Sequence, residues 1–193
     1  MKPTTVLLLA ASILFAAPST TIADDDEFHP ALKELAIGQI YKIAQNDLLI
    51  DAVIEHNKKS KSYKQAQIDS MDRQWREEIG AGDQPLIESL LSTDVSRYLK
   101  KVQSESRGLF TEIFIMDKRG INVAQSAITS DYWQGDEEHW IKSYKAGTNS
   151  IAIGHMHVDE STQILQSHIS IPIVDNWGKP IGAITFGVDV QML

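Results

Sequence analysis

The 193-residue chain contains no cysteine. That excludes disulfides, thiol nucleophiles, a lipid anchor on cysteine, and the sulfur ligands that structural zinc usually recruits. Arginine is absent from every position after Arg119, so the C-terminal part has no planar fork with which to grip a carboxylate or phosphate. Basic residues are the minority overall, 18 against 26 acidic, for a formal charge of −8. An acidic surface disfavours nucleic acid and anionic lipid as partners. No Gly-x-Ser-x-Gly elbow and no phosphate-binding glycine loop occurs, which removes two common enzyme frameworks. Aromatic residues make up only 7% of the chain, so a local cluster of them carries weight.

The N-terminus has a distinct pattern. Lys2 supplies a positive start, Val6 to Ala17 is an apolar run, and Thr21-Ile22-Ala23 precedes the acidic Asp24-Asp25-Asp26. This is the layout of a secretory signal peptide spanning residues 1–23, cut after Ala23. The apolar run is shorter than the roughly 18 residues needed to span a bilayer. No span is expected in the mature chain, which keeps 17 basic and 26 acidic side chains. Periplasmic export fits the absence of free thiols.

Residues 24–110 read as helical. Leu32, Leu35, Ala36, Ile40, Ile43, Ile50 and Ile54 recur at helical spacing, and a second seam of Ile37, Tyr41, Ala44 and Leu48 runs beside it. Two seams on one helix, from about residue 31 to 57, are too wide for a surface helix with one dry stripe. The helix is therefore expected to meet either other helices or another chain. Ile68, Met71, Trp75 and Ile79 mark a second helix stopped by Gly80 and Gly82. Asp83 and Thr93 are candidate caps for two further helices.

Residues 111–193 read mainly as sheet. Ile113–Asp117 and Asn122–Ser126 form a hairpin around Gly120. A short helix capped by Asp136 is expected over 137–145. Strands follow over 150–157, 164–174 and 181–188. Ile169, Ile171 and Ile173 alternate with Ser170 and Pro172, which places one strand face in a core. Pro172 has no backbone donor, so a bulge or an unpaired stretch is expected there.

Between the second and third strands lies an insert in which Tyr132, Trp133 and Trp140 fall within nine residues, among Ser130, Asp131, Gln134 and Asp136. Aromatic walls with a few placed polar groups suit a small-ligand pocket. The plainer alternative is that Trp133 and Trp140 plug the sheet, with Asp131 and Asp136 serving as turn and helix caps. His155, His157 and Asp159 share a strand face, with His168 on a neighbouring strand, but histidine pairs on strands are common and no cysteine supports a metal there. No metal and no cofactor are expected.

The order of strand, glycine turn, strand, Tyr-Trp insert and three strands resembles the Cache domains, PAS-like extracytoplasmic sensors of bacterial receptors. The resemblance implies an α+β fold, with residues 24–193 forming one domain: a long N-terminal helix and further helices packed on an antiparallel sheet. It implies a small molecule bound under the insert without turnover. It carries the ligand-binding role to Ser130, Asp131, Tyr132, Trp133 and Trp140, and more weakly to Asp159, Ser161 and Ser170. Amino-acid-binding members hold the ligand carboxylate with an arginine in or near the insert, which this insert lacks. Lys142 or Lys145 could stand in only as a point charge. The expected protein is a sensor whose partner is a membrane receptor or a second copy, met through helix 31–57. The rivals are an interaction protein with a self-filled pocket and a metal-dependent hydrolase using His155 and His157. Intact mass of the exported protein checks the first of these readings: a chain beginning at Asp24 is expected, and retention of residues 1–23 in the membrane fraction refutes it.

Overall fold

The computed structural model describes residues 25–158 and 163–193. The expected signal segment, Asp159 and Ser161 lie outside them. Helix α1 (Asp25–Leu35) runs through a π-helical turn (Ala36–Ile40) into α2 (Tyr41–Ala44), and α3 (Asp47–Ser60) follows. The long helix read from the sequence is thus interrupted at Gln45–Asn46. Asn46 adopts an extended conformation, and its side chain accepts a hydrogen bond from the Leu48 amide, a restart of the helix by an asparagine cap. The wider turn and the break together explain the two seams. Leu32, Ala36, Ile40, Ala44, Leu49 and Val53 all face inward, whereas Ile37 is 57% exposed and Leu48 39%.

Helices α4 (Gln65–Glu78), α5 (Pro85–Leu91) and α6 (Asp94–Glu105) complete the helical part. Thr93 caps α6 as expected, its hydroxyl accepting from the Ser96 amide. Asp83 does not cap α5. Pro85 opens that helix, and buried Glu78 of α4 accepts the Leu86 and Ile87 amides at 2.8 and 2.9 Å. A carboxylate at a helix N-terminus is favourable whichever element supplies it.

The sheet comprises β1 (Phe110–Asp117), β2 (Asn122–Gln125), β3 (Ala152–Ile153), β4 (His157–Val158), β5 (Leu165–Val174) and β6 (Pro180–Asp189), with the four-residue helix α7 (Glu138–Ile141) between β2 and β3. Its order is β2-β1-β6-β5-β3, all antiparallel, with β4 also paired to β5. This is the α+β, PAS-like arrangement implied by the strand order in the sequence. The third strand is shorter than its pattern suggested. Ser167 donates its hydroxyl to the Gly154 carbonyl at 2.8 Å, and the ladder stops until His157. Pro172 pairs with Ala183 of β6, but pairing on the β3 side ends at Ser170, so the proline stands past the end of that neighbour.

Register assigns the two faces. Ile113, Ile115, Ile169, Ile171, Ile184 and Phe186 point to the helices and form the main core with Leu49, Val53 and Leu99. Each fully buried side chain of this size contributes about 1.5–3 kcal/mol. The opposite face carries Glu112, Phe114 and Met116 of β1, His168 and Ser170 of β5, and Thr185 of β6. A second core, holding Ile68, Trp75, Ile87, Leu90, Ile121 and Tyr132, joins α4 and α5 to the insert.

The β1–β2 turn ties these layers together. Asp117 is fully buried, and its Oδ1 accepts the Arg119 and Ile121 amides at 2.7 and 3.0 Å. Its Oδ2 lies 3.1 Å from His56 Nδ1 of α3, and its carbonyl accepts Trp140 Nε1. Asn57, also on α3, accepts the Lys118 amide and donates to the Ile181 carbonyl. Burial alone would push the Asp117 carboxyl up, but hydrogen bonds from His56 and the Ile121 amide outweigh it and hold the group below the usual aspartate range. A depressed folded-state value means stability that is complete above the unfolded value of about 4 and is lost as pH falls through the lower folded value. Asp117→Ala should therefore cost roughly 3 kcal/mol at neutral pH by leaving buried donors unpaired. The gap to wild type, read by urea denaturation at several pH values, should close on acidification below about pH 4. A gap that stays constant down to acid pH would show that the carboxylate charge is not what matters.

Candidate functional site

The insert leaves β2 at Gln125 and is drawn in at once. Ser126 exchanges hydrogen bonds with Ile113 through its amide and its hydroxyl. Buried Asn122 donates to Gln125, Thr129 and the Asp131 carbonyl, fixing the first bend. The Tyr132 carbonyl accepts the Asn122 amide, and Trp133 bridges to Ile121. Gly120 and Gly135 then come into backbone contact. A Cβ on Gly120, at φ +79°, would stand 2.3 Å from Gly135 Cα, and one on Gly135 would meet the Trp133 ring at 2.5 Å. Only glycine at both positions lets the insert close on the hairpin turn.

Helix α4 holds the insert from its other side. Asp72 Oδ1 accepts the Tyr132 and Trp133 amides at 2.9 and 3.0 Å, and Trp75 Nε1 donates to the Thr129 carbonyl. Arg76 spans Asp72 (2.6 Å) and Asp131 (2.7 Å). An arginine therefore does reach the insert, from sequence positions far upstream, but two carboxylates already engage it.

The sequence-selected residues do not surround one cavity. Tyr132 is a core residue, its ring stacked 5.6 Å from Trp75, and burial pushes its phenol well above the usual range. Trp133 donates its ring N–H to the Arg119 carbonyl. Trp140 is buried over Phe114, Met116 and Ala183 and stacks on Tyr144. Lys145 lies over the Trp140 ring, and Lys142 pairs with Glu138. Ser170 is buried, sharing a 2.8 Å hydrogen bond with Thr185. Asp131 and Trp133 line a cleft of about 350 Å³ on the α4 side, together with Asp69, Asp72, Arg73, Arg76, Asp136 and Glu137. Asp136 faces this cleft and does not cap α7, which begins after Glu137 with no side-chain cap.

Of the selected residues, Ser130 lines space between the insert and the outer face of the sheet. Two cavities lie there. One, of about 190 Å³, is bounded by Glu112, Phe114, Thr129, Ser130, Gln134, Glu137, His139 and His168. The other, of about 270 Å³, shares Glu137, His139 and His168 and extends along Ala152–His155 to His157, with Glu138 and Lys142 at its edge. His139 stands between them, its ring edge-on to Phe114 at 5.5 Å and to His168 at 5.8 Å. Burial, and then the neighbouring His168, lower its pKa to about 4, so its ring is neutral at physiological pH. Glu137 is pushed the other way, by partial burial and by the adjacent Asp136 and Asp131.

Glu112 and His168 meet at 3.0 Å across the central strand. Both pair in register with Gly187 of β6. A Cβ there would sit 2.2 Å from Thr111 Oγ1 and 2.9 Å from Glu112 Cγ, so the missing side chain is what lets the pair close over β6. Sequence reading missed Glu112, Glu137 and His139 as lining groups. The available signal was parity: His168 and Ser170 are two apart on the strand whose other face carries the isoleucines. His157 Nε2 lies 3.3 Å from Gln166 Nε2, and among the described residues no three His, Asp or Glu side chains stand so as to hold a metal ion.

No protein-family model and no curated protein matches the chain. Among solved structures it is similar to the sensor domain of the V. cholerae histidine kinase DctB, at 12% identity over 86% of this chain and 55% of that one, with a TM-score of 0.47. It is similar to the ligand-binding domain of the Campylobacter jejuni chemoreceptor Tlp3 in complex with L-valine, at 16% identity over 85% and 62%, TM-score 0.39. It also aligns with the ligand-binding domain of the Pseudomonas aeruginosa amino acid chemoreceptor PctC in complex with GABA, at 16% over 54% and 50%, TM-score 0.38. The chain spans about half to three fifths of the length of these structures. They are distant likenesses, and the architecture rests on the strand order and register given above.

Proposed function

We propose that this chain is a periplasmic sensor domain that reversibly binds a small organic solute between the insert and the outer face of the sheet. The observation that carries this reading is the pair of cavities bounded on one side by β1 and β5 and on the other by the insert. They are lined by carboxylates, hydroxyls, an amide and imidazoles around a few rings, the mixture that orients a small ligand. Both are smaller than the 300 Å³ or more typical of drug-sized ligands, so the solute is small. In this reading Ser130 touches the ligand, while Asp131, Tyr132, Trp133 and Trp140 hold the insert in place. Asp159 and Ser161 lie outside the described residues, and Ser170 sits beneath the cavity floor. The self-filled pocket remains a rival, favoured by one observation: His139 occupies the space between the two cavities.

Binding to the folded state alone stabilises by about 2.7 kcal/mol at a hundredfold excess over Kd, roughly 5 to 10 °C for a domain of this size. A thermal-shift screen of amines, alcohols, sugars, purines and short carboxylates should find such a solute. A Cβ on Gly154 would make only ordinary 3.6 Å contacts with His168, so Gly154→Leu should fold and block the larger cavity. Ser130 is exposed and lines the smaller one, so Ser130→Leu should fold and block that, and one of the two should abolish the shift. Trp133→Ala should retain it, because that ring lines the α4-side cleft. The opposite pattern would move the ligand to that cleft, and no hit at all would favour the self-filled pocket.

The bound state is read, in this proposal, through the helical segment 31–57, by a second copy or a membrane receptor. Among the described residues no helix is long and apolar enough to cross a membrane. The outward seam of that segment is Ile37 and Leu48. Ile37→Glu is a surface change expected to alter stability by no more than about 0.5 kcal/mol, yet it should abolish association measured by sedimentation or crosslinking. Unchanged association in this variant would refute the interface.

A further inference from the structure

The chemistry around the two cavities restricts what can occupy them, and this inference rests on the binding site proposed above. The walls carry three glutamates: Glu112 is met by His168 and Glu138 by Lys142, and Glu137 has no lysine or arginine partner among the described residues. Glu112 and Glu137 both border the smaller cavity, from the sheet and from the insert. Arginine is missing from the lining of both spaces. The single lysine, Lys142, is at the edge of the larger one and is already bonded to Glu138 at 2.7 Å. A carboxylate or phosphate ligand would enter against several like charges and find no free cationic donor, which is unfavourable at short range. A cation would find the reverse.

Two further observations point the same way and do not depend on the acids. The rings of Phe114, His139 and His168 stand edge to face around the space, and a phenyl face attracts ammonium groups. His139 Nε2 is shielded from solvent and has no hydrogen-bond partner. A buried ring nitrogen without a partner is destabilising until something supplies one, and with the ring proton on Nδ1 the partner it takes is a donor. An ammonium group has several donors and no acceptor.

We propose that the ligand is a small organic amine, bound as its ammonium ion between Glu112 and Glu137, against the rings of His139, His168 and Phe114. Glu137 is the arm from the insert and Glu112 the arm from the sheet, so the cation bridges the two layers. His168, held by Glu112 across Gly187, keeps that carboxylate aimed at the cavity. The volume suits an alkyl chain of a few carbons beside the charged head.

The test uses three molecules of one shape, n-butylamine, 1-butanol and butyrate, each titrated into the full mature chain at pH 7.5 by calorimetry and thermal shift. The amine is expected to bind and the other two are not. Its affinity should fall as salt rises, as expected for a partly exposed charge contact. Glu137→Gln and Glu112→Gln should each weaken the amine about tenfold or more. Asp69→Asn changes an acid that lines only the α4-side cleft and should leave the affinity unchanged. Equal binding of butanol or butyrate, lost in Ser130→Leu or Gly154→Leu, would overturn the amine and leave the binding site standing. Amine binding indifferent to Glu137→Gln, Glu112→Gln and Ser130→Leu alike would overturn both. Absence of any amine binding would overturn the amine assignment.

Discussion

The buried carboxylate of Asp117 is the constraint on which the other parts depend. It closes the β1–β2 turn, pairs with α3 through His56, and its own carbonyl holds the Trp140 ring. Three layers thus meet at one residue: the helices behind the sheet, the sheet itself, and the insert in front. An ionised group without solvent survives only when it is well hydrogen-bonded, and here two turn amides and an imidazole supply the bonds. Had the turn been capped by a neutral side chain, the helical layer and the insert would have lost their common anchor.

The same position explains how a mostly polar outer face coexists with a rigid fold. The inner face of the sheet is filled by isoleucines against Leu49, Val53 and Leu99 and supplies most of the burial. The outer face contributes less, so it can carry Glu112, His168, Ser170 and Thr185. Its apolar cover is limited to the patch where Trp140 sits on Phe114, Met116 and Ala183. Most of the burial thus lies on one side of the sheet and most of its polar side chains on the other.

Much of this was legible in the sequence. The Gly120 hairpin, the Thr93 cap, the alternating isoleucines and the position of the insert are local signals, and local signals survive folding. Four features were not legible. The restart at Asn46 was hidden because the apolar spacing continues across it, although an asparagine before Asp47 is an ordinary cap. The caps assigned to Asp83 and Asp136 failed because distant Glu78 serves α5 and α7 has no side-chain cap. The spacing leaves Trp133 and Trp140 as either pocket walls or plugs of the sheet, and it hides that their ring N–H groups end on the carbonyls of Arg119 and Asp117. Those are contacts between segments, invisible without the register. The meeting of Glu112 and His168 depends on Gly187 lying opposite both, which only strand pairing reveals. The absence of arginine after Arg119 was correctly observed, but Arg76 shows that sequence distance is not spatial distance.

The grip of α4 on the insert has a mechanical consequence. Asp72 takes two backbone amides of the insert, and Trp75 takes a carbonyl from it, so that edge is riveted. The far edge is bordered by β3 and β4, each joined to β5 by a two-residue ladder. Regions with few backbone bonds open first. The insert is therefore tied along α4 and, through Trp140, to the β1–β2 turn, and its least-tied border is the one it shares with β3 and β4. Any load on that border is carried by α4 and by the turn that Asp117 closes.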